Sequence, residues 1–534
     1  MQEKESFKRI VRLSLSGVCL LGEAAIYIRF LYDFYFEPIK LNLRFFEKGE
    51  ALFIAIYLIL IFFFSSMYGG MRIGYLKNGE VIFSQIFATL LADVVTYGQI
   101  SIMITALYPA QIYLYMVALQ IAWVVLWINI ATFIYQHIFS PRQMLLIHGD
   151  RPYDDIVAKF GTRKDKYDIC KCISYRVGYD DIFMEVLEPY DAIVIWDIPV
   201  DVRNKILKFC YGHSIRVYIM PKITDVILKG AEQLSLFDTP ILFTREYKMT
   251  IDQRFIKRLI DIVCSLILIV VTSPLMLLTA LAVKIYDGGP ILYKQVRCTI
   301  GGKEFRIMKF RSMSVDAEKD GKARLAAKND TRITPIGKFI RVCRLDELPQ
   351  LFNILAGDMS FIGPRPERPE IIAQYMEIMP EFKFRMRVKA GLAGYAQVYG
   401  KYNTTPYDKL KLDLYYIENY SVWMDIKLMF LTLKILLMPD STEGIESTQI
   451  TAMKQSNAEL LEKRAKLDRE ARERIEKAHQ ERAVREAEIL ERQQAEQRKQ
   501  EEEARAQEEQ RKQEEGAKAQ REEAEQVKPA AGVI

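Results

Sequence analysis

The chain has 534 residues, half of them apolar, and a formal net charge of +6; this length accommodates about three domains and this apolar content supports a large core or a membrane portion. The mild charge, with no basic stripe interleaved with aromatics, excludes a nucleic-acid binder. Four scattered histidines and seven cysteines without framework spacing leave no material for a His-based metal site, a Ser-His-Asp triad or a zinc knuckle, so the thiols read as reduced and cytosolic and any metal must use oxygen ligands.

Residues 1–140 carry four long apolar runs, near 13–31, 51–68, 84–107 and 111–135, each approaching the ~20 residues that cross a bilayer. The first begins at Lys8-Arg9 and carries Glu23 and Arg29, which is not the pattern of a cleavable signal peptide. Lys4, Lys8, Arg9 and Arg12 precede the first run, Arg72 and Lys77 separate the second and third, and Arg142 follows the fourth. The positive-inside rule then makes the N-terminus and everything after residue 140 face the cytoplasm, with the 37–50 loop outside.

Residues 141–250 change period to short β-rich runs separated by helical ones. Strands are expected at Met144-His148, Ile169-Ser174, Ala192-Trp196, Val217-Met220 and Ile241-Phe243, which makes a small doubly wound, Rossmann-like α/β domain. Its first turn reads Gly149-Asp150-Arg151-Pro152, without the Gly-x-Gly-x-x-Gly that seats a pyrophosphate. A structural, dimerising or regulatory role is expected rather than nucleotide binding.

The 251–440 region opens with a fifth apolar stretch, Phe255 to Tyr286, basic at both ends through Lys257 and Arg258 before it and Lys284, Lys294 and Arg297 at or after its end. Ser273-Pro274 lies mid-run, where proline removes a backbone bond and clashes with residue 270. The expectation is a broken, re-entrant helix over 255–286 whose ends share one side; a kinked fifth span is the competing reading. Two strand-like runs follow, Ile291-Cys298 and Lys303-Phe310, joined at Gly301-Gly302 as a hairpin and ending in Lys309 and Arg311. The polar run from Ser314 to Asn329 reads as a mobile loop that could act as a lid.

The centre of the chain is Arg341-Val342-Cys343-Arg344-Leu345-Asp346-Glu347-Leu348-Pro349-Gln350, continued by Gly363-Pro364-Arg365-Pro366-Glu367. Two adjacent carboxylates precede a short helical pattern from Leu348 to Leu355, with Pro349 in its first turn and Gly357 as its stop. A helix N-terminus attracts anions, and Arg341, Arg344 and Arg365 add guanidinium forks suited to phosphate. The prolines on each side of Arg365 hold its backbone extended. Two acids beside an anion site require either a neutralising cation, usually Mg2+, or attack by one carboxylate on phosphorus. Downstream, Pro406 to Met438 reads as an amphipathic segment at the membrane surface. After Pro439 the composition turns to Glu, Arg, Gln, Lys and Ala, and residues 441–534 form a charged tail, helical or disordered, that carries no chemistry.

Residues 254–438 resemble the bacterial sugar transferase family, the monotopic polyprenyl-phosphate phosphoglycosyl transferases that start capsule, exopolysaccharide and O-antigen synthesis. The resemblance rests on an ordered series: Lys257-Arg258-Leu259-Ile260-Asp261, Ser273-Pro274, Lys309-Phe310-Arg311-Ser312-Met313, Asp330-Thr331-Arg332-Ile333-Thr334, Leu345-Asp346-Glu347-Leu348-Pro349-Gln350-Leu351, Gly357-Asp358-Met359-Ser360, Gly363-Pro364-Arg365-Pro366, Gly394-Tyr395-Ala396-Gln397-Val398 and Tyr416-Ile417-Glu418-Asn419-Tyr420-Ser421. The N-terminal four runs and α/β domain resemble the long-form members in architecture. The resemblance implies that Asp346 attacks the β-phosphorus of a nucleotide diphosphate sugar, usually UDP-linked, and that polyprenyl (undecaprenyl) phosphate then displaces the phosphosugar. It implies that Glu347 activates the lipid phosphate or helps Asp346 hold Mg2+, that Arg341 and Arg365 bind phosphate, and that Lys257 and Arg258 sit at lipid headgroups. Arg344, Lys309 and Arg311 complete the basic substrate-binding candidates. Ala390-Gly391-Leu392-Ala393-Gly394-Tyr395 departs from the family's Pro-Gly-Ile-Thr-Gly-Trp. A homodimer and polysaccharide-assembly proteins bound through the tail are the further partner readings. A non-catalytic scaffold of an assembly complex is the competing class and predicts a ruined acidic pair. A nucleotide-sugar oxidoreductase or epimerase would need the missing glycine fingerprint.

Overall fold

The computed structural model describes residues 2–36, 47–151, 153–244, 249–314, 332–400 and 404–436, with the single position 516. The expectations for the 37–50 loop lie almost wholly outside them, and those for the 314–329 lid and the tail lie outside but for Ser314 and Gly516. The four N-terminal apolar runs are helices: α1 (Gln2–Phe30, passing into a π-helical turn at Leu31–Phe36), α2 (Glu47–Tyr68), α3 (Asn78–Ile104) and α4 (Ala110–Ile138). Each is long and apolar enough to cross a bilayer. Lipid gives helices little hydrophobic reason to associate, so polar and close contacts hold this bundle. The Trp123 and Trp127 indoles on α4 donate to the Cys19 and Leu15 carbonyls of α1 at 3.0 and 2.8 Å. A Cβ on Gly22 would lie 2.1 Å from the Trp123 ring, so only glycine lets these helices approach.

The α/β unit follows: β1 (Arg142–His148), α5 (Asp154–Gly161), β2 (Tyr167–Ser174), α6 (Tyr179–Val186), β3 (Ala192–Trp196), α7 (Val200–Gly212), β4 (Val217–Ile219) and α8 (Ile223–Lys229). The sheet order is β2-β1-β3-β4, with β1, β3 and β4 parallel and Leu146 paired to Val194. The expected fifth strand is corrected: Ile241-Phe243 belongs to β6 (Thr239–Phe243), which pairs antiparallel with β5 (Glu232–Leu236) in a separate two-stranded sheet. Where a Rossmann domain would seat a pyrophosphate, the chain fills the space itself. A Cβ on Gly149 would meet the Asp197 carbonyl oxygen at 1.9 Å, and Arg151 reaches from Asp197 at 3.3 Å to the face of the Tyr407 ring at 4.6 Å.

The remainder builds one further unit. Helix α9 (Ile251–Asp287) leads into the antiparallel hairpin β7 (Leu292–Cys298) and β8 (Glu304–Phe310), then α10 (Pro335–Val342) and α11 (Gln350–Ala356). Strands β9 (Ser360–Ile362) and β10 (Gly391–Ala393) pair in parallel around α12 (Pro369–Ile378), and α13 (Tyr395–Tyr399), α14 (Pro406–Glu418) and α15 (Val422–Leu436) close the unit. The single amphipathic segment expected from Pro406 to Met438 is therefore two helices. Leu351, Ile354, Phe361, Phe382, Leu410 and Leu414 form its core, and Ile223 and Val226 of α8 pack into it. Lys434 of α15 donates to the Tyr68 carbonyl and the Ser84 hydroxyl at 3.2 and 2.7 Å, which ties this unit to the helical bundle.

Helix α9 carries Pro274 inside it and is helical on both sides of the proline. Proline cannot donate to the carbonyl of residue 270, and the Ser273 hydroxyl takes that acceptor instead at 2.8 Å. Both ends of α9 are held by the same unit. Near its start, buried Lys257 bonds the Asp425 carboxylate, the Ile362 carbonyl and the Tyr416 hydroxyl at 2.6, 2.9 and 3.2 Å. One turn on, Asp261 accepts from the Phe361 backbone and the Ser360 hydroxyl, each at 3.0 Å. Near its end, Val283 packs with Phe310 and Ile340, and Asp287 pairs with Arg311. Between these anchors Leu266, Ile267, Val270, Val271, Leu277 and Leu278 are exposed.

A buried ammonium that loses its hydrogen-bonded carboxylate partner remains costly in place. Asp425→Asn is expected to destabilise the protein by about 3–5 kcal/mol, and adding Lys257→Met should recover part of that loss. Thermal unfolding of the two single variants and the double variant in nanodiscs measures the coupling; additive losses would remove it.

Candidate active site

Arg344 closes α10 with a left-handed backbone, φ 56°, and this turns the chain into a single 3-10 turn at Leu345–Glu347 directly ahead of α11. A non-glycine residue held there costs about 1–3 kcal/mol, so the surrounding structure fixes the turn. Asn353 supplies one such restraint. Its amide donates to the Arg306 carbonyl and accepts from the Met308 backbone, both at 2.9 Å, which locks α11 to β8.

The turn gives the two adjacent acids different surroundings. Glu347 Oε1 accepts from Lys309 Nζ at 2.9 Å and Arg365 Nη2 at 2.8 Å, and Arg344 Nη1 stands at 3.9 Å. Burial opposes ionisation of Glu347, but Lys309, Arg365 and Arg344 overcome it and hold its carboxyl well below the usual range. Asp346 is buried, and among the described residues nothing hydrogen-bonds its carboxylate. Burial and the neighbouring Glu347 charge push its carboxyl up, against the pull of Lys309, Arg341 and Arg344. Arg341 is half-buried near Asp346 and makes no hydrogen bond or ion pair among the described residues, so its guanidinium is available to an anion.

Of the residues singled out in the sequence, Asp346, Glu347, Arg341, Arg344, Arg365 and Lys309 come together. Three others go elsewhere. Arg311 turns away to Asp287 and links the hairpin to the end of α9. Lys257 points into the protein instead of toward headgroups, and Arg258 donates to the carbonyls of Ile354 and Leu355 at 2.7 and 2.8 Å, capping the end of α11. A basic pair at the mouth of an apolar helix reads as an interfacial anchor in sequence, because its acceptors lie roughly a hundred residues downstream.

The Gly-Pro-Arg-Pro loop is positioned from behind by Arg385, Asp413 and Lys409, which carried no sequence signal of their own, together with Glu367 and Arg297. Arg385 donates to the Arg365 carbonyl at 2.9 Å and pairs with Asp413 at 2.8 Å. Glu367 gathers Lys409, Arg385 and Arg297 at 2.5, 3.6 and 3.7 Å. The loop also needs its glycines: a Cβ on Gly363 would lie 2.3 Å from the Lys389 carbonyl oxygen, and one on Gly391 would lie 2.1 Å from the Gly363 nitrogen. The Ala390-to-Tyr395 segment thus supports the Arg365 loop through close backbone contact. Ala390 N–H donates to Thr299 Oγ1 at 3.1 Å, a bond that proline at this position could not make.

Among the described residues no group of three or more His, Cys, Asp or Glu side chains could cage a metal. Mg2+, however, characteristically uses one or two carboxylates together with substrate phosphates and water. The Asp346 carboxylate, which accepts no hydrogen bond among the described residues and lies next to Glu347, fits that donor set.

Residues 252–439 match the family described as bacterial sugar transferase. The chain is 34% identical over 335 residues to the UDP-N-acetylgalactosamine-undecaprenyl-phosphate N-acetylgalactosaminephosphotransferase of Aeromonas hydrophila, covering 60% of this chain and 72% of that protein. It is 40% identical over 262 residues to the UDP-glucose:undecaprenyl-phosphate glucose-1-phosphate transferase of Klebsiella pneumoniae, covering 48% of this chain and 54% of that one. With the undecaprenyl-phosphate galactose phosphotransferase of Salmonella typhimurium it shares 35% identity over 245 residues, 43% of this chain and 50% of the relative. The five long apolar helices and these relatives identify a membrane protein that is a sugar phosphotransferase. The chain belongs to the bacterial sugar transferase family.

The positioning shell has a pH signature. Burial opposes ionisation of Glu367, but its three cations bring the carboxyl down to about 2. A carboxyl lowered in the folded state contributes stability that is complete above its unfolded value, about 4.3, and is lost as pH falls toward 2. Glu367→Gln should cost about 3–5 kcal/mol at neutral pH and flatten the acid limb of stability. Thermal midpoints from pH 3 to 7 test this, and an unchanged acid limb in the variant would refute it.

Proposed function

We propose that the enzyme transfers a phosphosugar from a nucleotide diphosphate sugar, UDP-linked as in the relatives' names, to undecaprenyl phosphate, and that it does so through a covalent intermediate on Asp346. The observation that carries this reading is the asymmetry of the pair: Glu347 is engaged by cations, whereas nothing among the described residues hydrogen-bonds Asp346 and its carboxyl is pushed up. An Asp346 oxygen attacks the sugar-bearing β-phosphorus while the bond from that phosphorus to the bridging oxygen breaks, and nucleoside monophosphate leaves with the electron pair. An oxygen of the lipid phosphate then attacks the same phosphorus and releases the Asp346 carboxylate, giving polyprenyl-diphospho-sugar.

The collar cations have a defined part in this. Lys309, Arg344 and Arg365 converge on Glu347, and with Arg341 they supply positive charge where the transferred phosphoryl group develops negative charge. Glu347 is therefore an organiser of cations and a poor proton acceptor at neutral pH, because its carboxyl is held so low. Mg2+ held by Asp346 and Glu347 with substrate phosphate oxygens would add charge neutralisation there.

The proposal extends to topology and place. A helix fastened to one unit at both ends, with a bare apolar middle and a proline at its centre, fits a re-entrant membrane helix that brings the lipid phosphate to Asp346. The enzyme then lies in the bacterial inner membrane with its site on the cytoplasmic face. The chemistry suits the first membrane step of capsule, exopolysaccharide or O-antigen synthesis. The relatives' names carry N-acetylgalactosamine, glucose and galactose, so the sugar is set within the family by finer contacts.

Asp346→Asn should lower kcat/KM by at least about a thousandfold, whereas Lys309→Ala and Arg365→Ala should each lose about ten- to a hundredfold. Varying both substrates should give parallel double-reciprocal plots. The acid limb of the rate should sit above ~3.9, since Asp346 attacks ionised and its carboxyl is raised. A dead Glu347→Gln beside an active Asp346→Asn would reverse the assignment. Cysteines placed at positions near 250 and 290 should label from the cytoplasmic side alone; labelling from opposite sides would defeat the re-entrant helix.

A further inference from the structure

We infer that Arg151 and Tyr407 are positioning residues for the reaction: through them, and along α14, the α/β unit sets the place of Arg365. Helix α14 stands between the two. At 3.6 residues per turn, Tyr407, Lys411 and Tyr415 follow one another along one face, while Lys409 and Asp413 lie on the opposite face. The first face meets the α/β unit. Arg151 Cζ lies 4.6 Å from the centre of the Tyr407 ring, Lys411 Nζ lies 4.8 Å from the same ring, and Lys229 of α8 lies over Tyr415 at 5.0 Å. Asp408 adds an ion-pair link beside them, taking Lys411 at 2.7 Å and Lys159 of α5 at 3.8 Å.

The second face holds the Gly-Pro-Arg-Pro loop. Lys409 pairs with Glu367 at 2.5 Å and Asp413 with Arg385 at 2.8 Å, and Arg385 donates to the Arg365 carbonyl at 2.9 Å. The Arg385 and Asp413 side chains are only 3% and 2% exposed, so solvent cannot take up slack between α14 and the loop. The remaining side of the helix is packed as tightly. Leu410 and Leu414 are buried in one core with Ile223 and Val226 of α8 and with Leu351 and Ile354 of α11, the helix that follows the acidic pair. Interiors packed in this way transmit displacement instead of absorbing it. The turn at Gly149-Asp150-Arg151-Pro152 lacks the glycines that seat a pyrophosphate, and its arginine reaches α14 instead. The inference rests on Arg365 binding substrate phosphate, as proposed above.

The test uses the full chain in nanodiscs. Arg151→Ala and Tyr407→Leu remove the contact, whereas Tyr407→Phe keeps the ring. The first two should lower kcat/KM for the nucleotide sugar about two- to fivefold, and Tyr407→Phe should retain the parent value. On an Arg365→Ala background, Arg151→Ala should add no further loss, because the residue through which it acts is gone. Hydrogen–deuterium exchange supplies a readout independent of turnover: in Arg151→Ala the amides of 360–368 should exchange at least about twice as fast, with those of 350–356 unchanged. Unaltered kcat/KM and unaltered loop exchange in both Arg151→Ala and Tyr407→Leu would overturn the inference. A loss of full size on the Arg365→Ala background would overturn it equally, since the effect would then bypass Arg365. Faster loop exchange beside a fully active Arg365→Ala enzyme would instead uphold the positioning and sink the reading of Arg365 as a substrate-binding residue.

Discussion

One carboxylate oxygen, Oε1 of Glu347, holds the site together. Lys309 at the end of β8, Arg344 at the turn out of α10 and Arg365 in the Gly-Pro-Arg-Pro loop all direct positive charge onto it. Without that shared anion three cations would repel one another across a partly buried space. With it they are fixed in one place, and the adjacent acid is left uncommitted. Environment therefore separates the pair: the cations hold the Glu347 carboxyl well below its usual range, and Asp346 lies buried beside it with no hydrogen bond among the described residues.

Two supports keep the collar where it is. Behind Arg365, the Arg385–Asp413 and Glu367–Lys409 pairs fix the loop, and the bare backbones of Gly363 and Gly391 let β9 and β10 approach it. Below the site, α9 is fastened through Lys257 and Asp261 at one end and Asp287 at the other, while its apolar middle stays uncovered. On the proposed topology the second support places the acidic pair, because a helix gripped at both ends sets the height of that pair above any membrane that the helix enters. The contacts of α15 with the N-terminal bundle fix the same height from another side.

Much of this was legible in the chain. Periodicity located the four N-terminal helices and the β1, β2, β3 and β4 strands, and the Asp346-Glu347 and Arg365 motifs identified the site residues that converge. Three features were not legible, for physical reasons. Ile241-Phe243 has strand composition, but composition does not say which sheet a strand joins. Lys257, Arg258 and Arg311 look like free cations because their partners are far away in sequence. The Arg385, Asp413 and Lys409 support arises from side chains that meet only in the fold. At Pro274, where the sequence favoured a broken helix, the Ser273 hydroxyl satisfies the freed carbonyl and the chain is helical on both sides.

The account stands or falls on whether Asp346 becomes covalently modified. Intact-protein mass spectrometry of the purified enzyme, incubated with its nucleotide sugar and Mg2+ but no polyprenyl phosphate, tests this directly. The account predicts a mass increase equal to one phosphosugar, release of an equivalent of nucleoside monophosphate, loss of the adduct when lipid phosphate is added, and no adduct on Asp346→Asn. An enzyme that turns over with both substrates yet shows neither adduct nor monophosphate release without lipid would contradict it, leaving direct attack by the lipid phosphate as the route.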